Sequence, residues 1–171
     1  MVVAVGIAMS FALWWTYFLL PHAPVLAVRR DKAILWGYGH ILLFSAIAAV
    51  GAGLHVIGYA YDPEYGIDDK PVTASIAIPV IVFMIVRYLL QAWLVSAVPR
   101  DSLVQLGATE LPALAITLAA AGVPLWVCLT IVLASPLSVI VSFEGGGWRS
   151  LDAQLARVIG GAGRKDDRVP E

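Results

Sequence analysis

The chain has 171 residues, of which 60% are hydrophobic and 13% are charged, and its mean hydropathy is +0.86. Soluble domains carry roughly 25% charged residues, so this composition excludes an ordinary water-soluble globule. The formal net charge is −1 and indicates little about partners. Cys128 is the single cysteine, which excludes an intrachain disulfide and a cysteine-rich metal site.

The apolar residues fall in blocks that are long enough for helices across the hydrocarbon core of a bilayer, which needs about 20 residues. Gly122 and Pro124 divide the apolar stretch from 103 to 143 into a hairpin, because one helix of that length would reach roughly 60 Å. A kinked or re-entrant element in its place is the alternative. We predict an all-α, polytopic integral membrane helical bundle whose domain covers 1–143, with five transmembrane helices at about 2–20, 33–59, 72–98, 103–121 and 124–143.

The distribution of basic residues predicts the orientation of this bundle. Arg29, Arg30 and Lys32 lie in the first loop, Arg100 lies in the third, and the tail carries five more Lys and Arg residues. The opposite side has only Lys70. Because positive loops stay in the cytoplasm, we predict a multi-pass protein of the cell membrane with its N-terminus outside and its C-terminus cytoplasmic.

The segment 144–171 is too polar to form another span. Ser150 is a typical first residue for a short helix, and Gly160 is a typical end. Apolar residues recur between them at helical spacing, which predicts an amphipathic helix on the cytoplasmic leaflet. Its apolar face contains Trp148, Leu151, Leu155 and Val158. We expect the stretch from Gly160 to Glu171 to be a disordered tail.

Two segments carry a family resemblance. The run Ala12–Phe18 reads ALWWTYF, and the run Tyr38–His55, which follows a basic loop, reads YGHILLFSAIAAVGAGLH. These runs resemble the WWxYF-type helix and the following YxH and AxGL helix in the carboxyl-terminal half of the bacterial low temperature requirement A (LtrA) proteins. The resemblance implies a multi-pass membrane protein of unsettled molecular activity, and members of that family are about twice as long.

Three residues that can carry a charge, His40, Arg87 and Glu110, lie about two turns or more inside the predicted spans. They enter from the same side to a similar depth, so we predict that they meet as an intramembrane polar cluster. A cluster of this kind is a candidate site for ion handling or proton relay. The alternative is that Arg87 extends to the headgroups, Glu110 lies at the interface, and His40 only supports helix packing.

The second span carries Ser45, Ala49 and Gly53 four residues apart, a pattern that predicts close helix packing. The resemblance covers only half of a family protein. We therefore expect the chain to need a partner in the lipid bilayer, either a second copy in a homo-oligomer or a separate membrane subunit. The remaining alternative is an inactive half-length remnant.

Catalytic motifs are missing from the sequence. It has no H-E-x-x-H motif, no glycine-rich phosphate loop followed by Lys-Ser or Lys-Thr, and no nucleophile in a recognisable setting. We predict no catalytic residues, no cofactor, no metal and no nucleic-acid partner, and therefore no enzyme. Two functions stay open: ion or small-solute handling through the polar cluster, and a non-catalytic membrane scaffold or stress-related assembly factor.

The predicted orientation has a direct test. A cysteine introduced by Asp68→Cys should react with an impermeant thiol reagent in whole cells, because the loop between the second and third spans is expected outside. The change Asp152→Cys should leave the protein unlabelled until the cells are opened. Labelling of the Asp152→Cys variant in intact cells contradicts the orientation.

Overall fold

The computed structural model describes residues 2–60, 62, 64–95 and 102–166, with side chains described for all of them except Val2, Ser102, Ser150 and 161–166. The expected end of the third span at 96–98, Arg100 and the last residues of the tail lie outside this range. The described residues form seven α-helices and no strand. The helices are α1 (Val2–Phe18), α2 (His22–Val28), α3 (Ala33–Ala60), α4 (Asp69–Val95), α5 (Ser102–Ala120), α6 (Leu125–Ser142) and α7 (Trp148–Asp166).

Five stretches of this helical chain are long and apolar enough to cross a membrane. They are Val3–Val28, Arg30–Ala60, Asp69–Val95, Leu103–Ala120 and Leu125–Gly147. This finding confirms the predicted all-α membrane class. The first stretch is longer than expected because the short helix α2, which the sequence analysis missed, continues it after a break at Leu20 and Pro21.

The spans form a ring in which α1 contacts α3, α3 contacts α4, α4 contacts α5, α5 contacts α6, and α6 returns to α1. Helix α4 also contacts α6 across the ring, so it has the largest buried share of the five spans. Its buried apolar side chains recur every three or four residues, among them Val72, Ile76, Val80 and Phe83. Helices α4, α5 and α6 each contain an internal proline, which membrane helices tolerate when neighbouring groups satisfy the freed backbone.

The hairpin of α5 and α6 is formed by two separate helices joined by a tight turn. Gly122 has a φ of +83°, a conformation that glycine adopts without steric cost. The Gly122 N–H donates to the Ala119 carbonyl at 3.1 Å, and the Val123 N–H donates to the Leu118 carbonyl at 3.0 Å. This pair of bonds is a Schellman motif, which satisfies carbonyls at the end of α5.

Both ends of α4 are held by charged side chains. Lys32 is buried, and its ammonium donates to the Trp93 carbonyl and, at 3.4 Å, to the Leu94 carbonyl. A cation there matches the negative end of the helix dipole. At the other end, the Asp69 carboxylate accepts a hydrogen bond from the Leu125 N–H at 3.1 Å and so caps the start of α6.

Helix α7 packs against the protein at the end of the bundle that carries Arg29, Arg30 and Lys32, which we name the basic end. Two residues of the predicted apolar face, Leu151 and Leu155, are buried in a cluster with Leu20, Val25 and Leu94. Gly146, with a φ of +134°, turns the chain from α6 into α7. The helix continues past Gly160 to Asp166, so the expected end at Gly160 is wrong.

Only part of the predicted small-residue stripe lies in a contact between helices. Gly53 is buried, and a Cβ at this position would lie 2.5 Å from the Ser75 carbonyl oxygen of α4. Ala49 and Ser45 have exposed side chains. A spacing of four residues advances about 40° around a helix at each step, so the stripe leaves the packed face of α3 within two steps.

Gly53 therefore sets how closely α3 and α4 approach. We expect Gly53→Ala to lower the free energy of unfolding by about 1–3 kcal/mol, because the added methyl group meets backbone atoms. The matched control is Gly58→Ala on the same helix, where a Cβ meets no atom within 4 Å. Thermal unfolding in detergent should separate the two variants, and equal midpoints would contradict the close approach.

Candidate functional site

Arg87 lies deep in the bundle, and its side chain is only 4% exposed. It is eight residues before the end of α4, which places it about 12 Å from the basic end of that helix. A charged residue near the centre of a span costs about 2.5 to 3.5 kcal/mol on insertion. The burial contradicts the alternative in which Arg87 extends to the headgroups, so this cost has to be offset inside the protein.

The guanidinium of Arg87 connects three helices. Its Nη2 donates to Oε1 of Gln105 on α5 at 2.6 Å, and its Nη1 donates to the carbonyl of Thr16 on α1 at 3.3 Å. Thr16 and Gln105 are themselves buried. The Thr16 hydroxyl donates to the Ala12 carbonyl at 2.6 Å and lies 3.4 Å from the Pro136 carbonyl, so α6 also borders the site.

The Thr16 carbonyl is available to Arg87 because α1 ends at Phe18. The last four carbonyls of a helix have no partner within it, and together they carry the negative end of its dipole. A positive side chain is the matching partner for such a carbonyl. The break in the first span at Leu20 and Pro21 thus exposes a partial negative charge at the depth of Arg87.

Several buried side-chain polar atoms have no hydrogen-bond partner in the described part of the chain. They are Nε of Arg87, Oε1 of Gln91, Oγ of Ser135, Nε1 of Trp36 and Oγ1 of Thr73. Gln91 follows Arg87 by one turn of α4, and Ser135 precedes Pro136, whose carbonyl faces Thr16. Buried polar atoms are nearly always satisfied in folded proteins, so the unpaired Nε leaves the Arg87 guanidinium with an unused hydrogen-bond donor.

His40 lies next to this site and is 8% exposed. Its Nδ1 is 2.7 Å from the Trp36 carbonyl, and its Nε2 is 2.7 Å from the Tyr17 hydroxyl. Because a carbonyl only accepts, Nδ1 must carry a proton. In the neutral ring, Nε2 then accepts from the Tyr17 hydroxyl. Tyr17 directly follows Thr16, so consecutive residues of α1 link His40 to Arg87.

Glu110 lies away from the site, with its side chain exposed on α5. The ion pair found among the described side chains is Arg29–Asp31, and Arg87 bonds to Gln105 instead of Glu110. Five residues separate Gln105 from Glu110, a rotation of about 140° around the helix. Since Gln105 faces the interior, Glu110 faces outward, and the expected contact between Arg87 and Glu110 does not form within the chain.

The neutral members of the site were not predicted from the sequence. Gln105 lies at the first turn of an apolar helix and Gln91 lies four residues after Arg87, a spacing that puts both α4 side chains on one face. The two amides at these positions in apolar helices could have been recognised from the sequence as members of a polar site. Thr16 could not, because it contributes its backbone carbonyl. Among the described residues, no group of three His, Cys, Asp or Glu side chains is placed to hold a metal ion.

The pairing of Arg87 with Gln105 predicts energetic coupling. In a double-mutant cycle of Arg87→Leu and Gln105→Leu, the two losses in the free energy of unfolding should deviate from additivity by about 1 kcal/mol. The reason is that the first substitution already removes the bond that the second would break. Denaturant titration in mixed micelles provides the measurement.

The control cycle combines Arg87→Leu with Glu110→Leu, and its two losses should add within about 0.5 kcal/mol. Coupling in the Glu110 cycle together with additivity in the Gln105 cycle would reverse the assignment of the Arg87 partner.

Comparison with known proteins places this architecture in a family. The model of the bacterial low temperature requirement A protein (LtrA) family matches residues 1–136, which contain Thr16, His40, Arg87, Gln105 and most of α6. Searches of curated proteins and of solved structures find no match. The match covers more than half of the sequence, from the first span into the fifth, and the chain belongs to the LtrA family.

Proposed function

We propose that this protein is a non-catalytic, multi-pass protein of the cell membrane that handles small anionic solutes, with the anion held at Arg87. The observation that carries the proposal is a fully enclosed guanidinium whose hydrogen bonds all go to neutral acceptors. A buried ion without a counter-ion is strongly destabilising. Ionisable residues inside membrane spans commonly mark the paths of ions and substrates.

The carbonyls at the end of α1 supply only part of the missing negative charge, since a helix terminus is equivalent to roughly half an elementary charge. A bound anion would supply the rest. It would also accept from Nε of Arg87, a donor that lacks a partner in the described structure.

A second candidate function is a membrane scaffold or a stress-related assembly factor. One observation favours it: Arg87 joins α4 to α1 and α5, which gives the residue a packing role even without a solute. The two candidates differ in what a purified protein does. A scaffold has no reason to move an anion across a bilayer, whereas the proposed solute-handling protein does.

The test is anion flux into liposomes that contain the purified protein. Chloride, nitrate, phosphate and acetate are supplied separately, and we expect protein-dependent uptake of at least one of them. The change Arg87→Gln should lower that uptake by about tenfold or more, since losing a hydrogen bond to a charged group costs on the order of 1.5–3 kcal/mol. Arg87→Lys should retain part of the uptake because it keeps the charge.

The matched control is Arg30→Gln, which removes an exposed arginine at the basic end. It should leave the uptake unchanged. Thermal unfolding of each variant shows whether the protein remains folded. If the folded wild-type protein transports none of the four anions, or if Arg87→Gln transports as well as the wild type, the scaffold is the better explanation.

A further inference from the structure

Glu110 occupies an unusual place for a carboxyl group. It lies seven residues after the start of the apolar span Leu103–Ala120, so about 10 Å of helix separates it from one end and about 15 Å from the other. Its side chain is exposed. Within the described part of the chain it has neither an ion pair nor a side-chain hydrogen bond, since the side-chain bonds of α5 belong to Gln105, Thr109 and Thr117.

Hydrocarbon is a poor environment for this side chain. Acidic residues within spans almost always face the interior of a bundle, a water-filled cavity or another polar group. The interior of this bundle is closed to Glu110, because Gln105 and the buried Ala108, Pro112 and Ala115 form the packed side of α5. A partner of Glu110 therefore has to approach from outside the described part of the chain.

The surface around Glu110 suits a second helix. Residues exposed on the same side of α5 recur at intervals of three and four, and we name this surface the α5 stripe. It consists of Leu103, Leu106, Gly107, Glu110, Leu114 and Thr117. A Cβ at Gly107 would meet no atom within 4 Å, so a neighbouring backbone has room to approach one turn from the carboxyl. Small residues and polar side chains are what join helices in lipid.

We infer that the α5 stripe is the contact surface with a second copy of this chain, across which the two Glu110 carboxyl groups hydrogen bond to each other. A twofold axis along the membrane normal brings equivalent residues together at the same depth. A protonated carboxyl group holds both a donor and an acceptor. It is therefore complementary to its own copy, which a lysine or arginine is not.

The charges elsewhere on the chain favour a carboxyl pair over a salt bridge between copies. Among the described residues, no exposed Lys or Arg lies more than two residues inside the end of a span. Arg87 is enclosed. A second copy therefore offers no Lys or Arg at the depth of Glu110. The group that meets Glu110 is instead the Glu110 carboxyl of the second copy. This inference does not depend on anion handling at Arg87.

The first experiment measures the monomer–dimer equilibrium of the full chain in lipid bilayers by single-molecule photobleaching at several protein-to-lipid ratios. The wild type should dimerise. Glu110→Leu should raise the dissociation constant by about threefold or more, whereas Glu110→Gln, which keeps a donor and an acceptor, should stay near the wild type. Gly107→Leu should weaken the dimer by closing the space for the partner backbone.

The matched control is Ala49→Leu, an exposed small residue on α3 that should leave the equilibrium unchanged. All of these positions are exposed, and unfolding midpoints confirm that each variant is folded. Cross-linking gives an independent measurement in a Cys128→Ser background. In that background, Leu114→Cys should yield covalent dimers in native membranes, and Ala49→Cys should not.

A monomeric wild type, alone or with a different co-purified membrane subunit, overturns the inference. So does a dimer that cross-links through position 49 and not 114. A dimer that is insensitive to Glu110→Leu overturns the pairing of the carboxyl groups. None of these results bears on the liposome flux test, so the two proposals fail separately.

Discussion

The enclosure of one cation in an apolar bundle is the constraint around which the other helices are arranged. Arg87 sits on the helix with the most neighbours, and its charge is accommodated because α1 ends early and α5 presents an amide. Each of these features would be a defect in isolation. A broken span leaves carbonyls unsatisfied, and a glutamine in lipid is costly. Together they pair both terminal nitrogens of the guanidinium and leave its Nε without a partner among the described residues.

The same principle recurs at the end of α4, where the Lys32 ammonium meets the last carbonyls of the helix. Two buried cations of this chain therefore contact helix C-termini, one inside the ring and one at the basic end. Lys32 also lies 4.8 Å from the centre of the Trp93 ring, which adds a cation–π contact. Backbone carbonyls near helix C-termini are thus among the partners of both cations.

The ionisable residues that the sequence singled out divide between the interior and the outer surface. His40 and Arg87 are buried, the first bonded to Tyr17 and the Trp36 carbonyl, the second to Gln105 and the Thr16 carbonyl. The Glu110 side chain is exposed on the outer side of α5. This division gives the two proposals separate surfaces, since the proposed solute site lies inside one chain and the proposed contact between chains lies on the outer side of α5. A ring of five spans accommodates both without competition.

The sequence by itself determined the membrane class, the five spans and the family, because apolar blocks of span length and the ordered WWxYF, YxH and AxGL motifs are local features of the chain. It also indicated Arg87 and His40 as intramembrane polar residues, since a charge within an apolar block needs no fold to be noticed. The turn at Gly122 was also predictable, because Gly122 and Pro124 interrupt the apolar stretch locally.

Only the tertiary structure decided which polar groups meet. The partner of Arg87 depends on the rotation of α5, which packing fixes and which turned Gln105 inward and Glu110 outward. The Thr16 carbonyl is available to Arg87 because α1 ends at Phe18. Of the small-residue stripe, Gly53 lies on the face of α3 that packs on α4, whereas Ser45 and Ala49 are exposed. The rotation of a helix and the residue at which it ends depend on contacts between segments that are far apart in the chain. Hydropathy along the sequence does not predict those contacts.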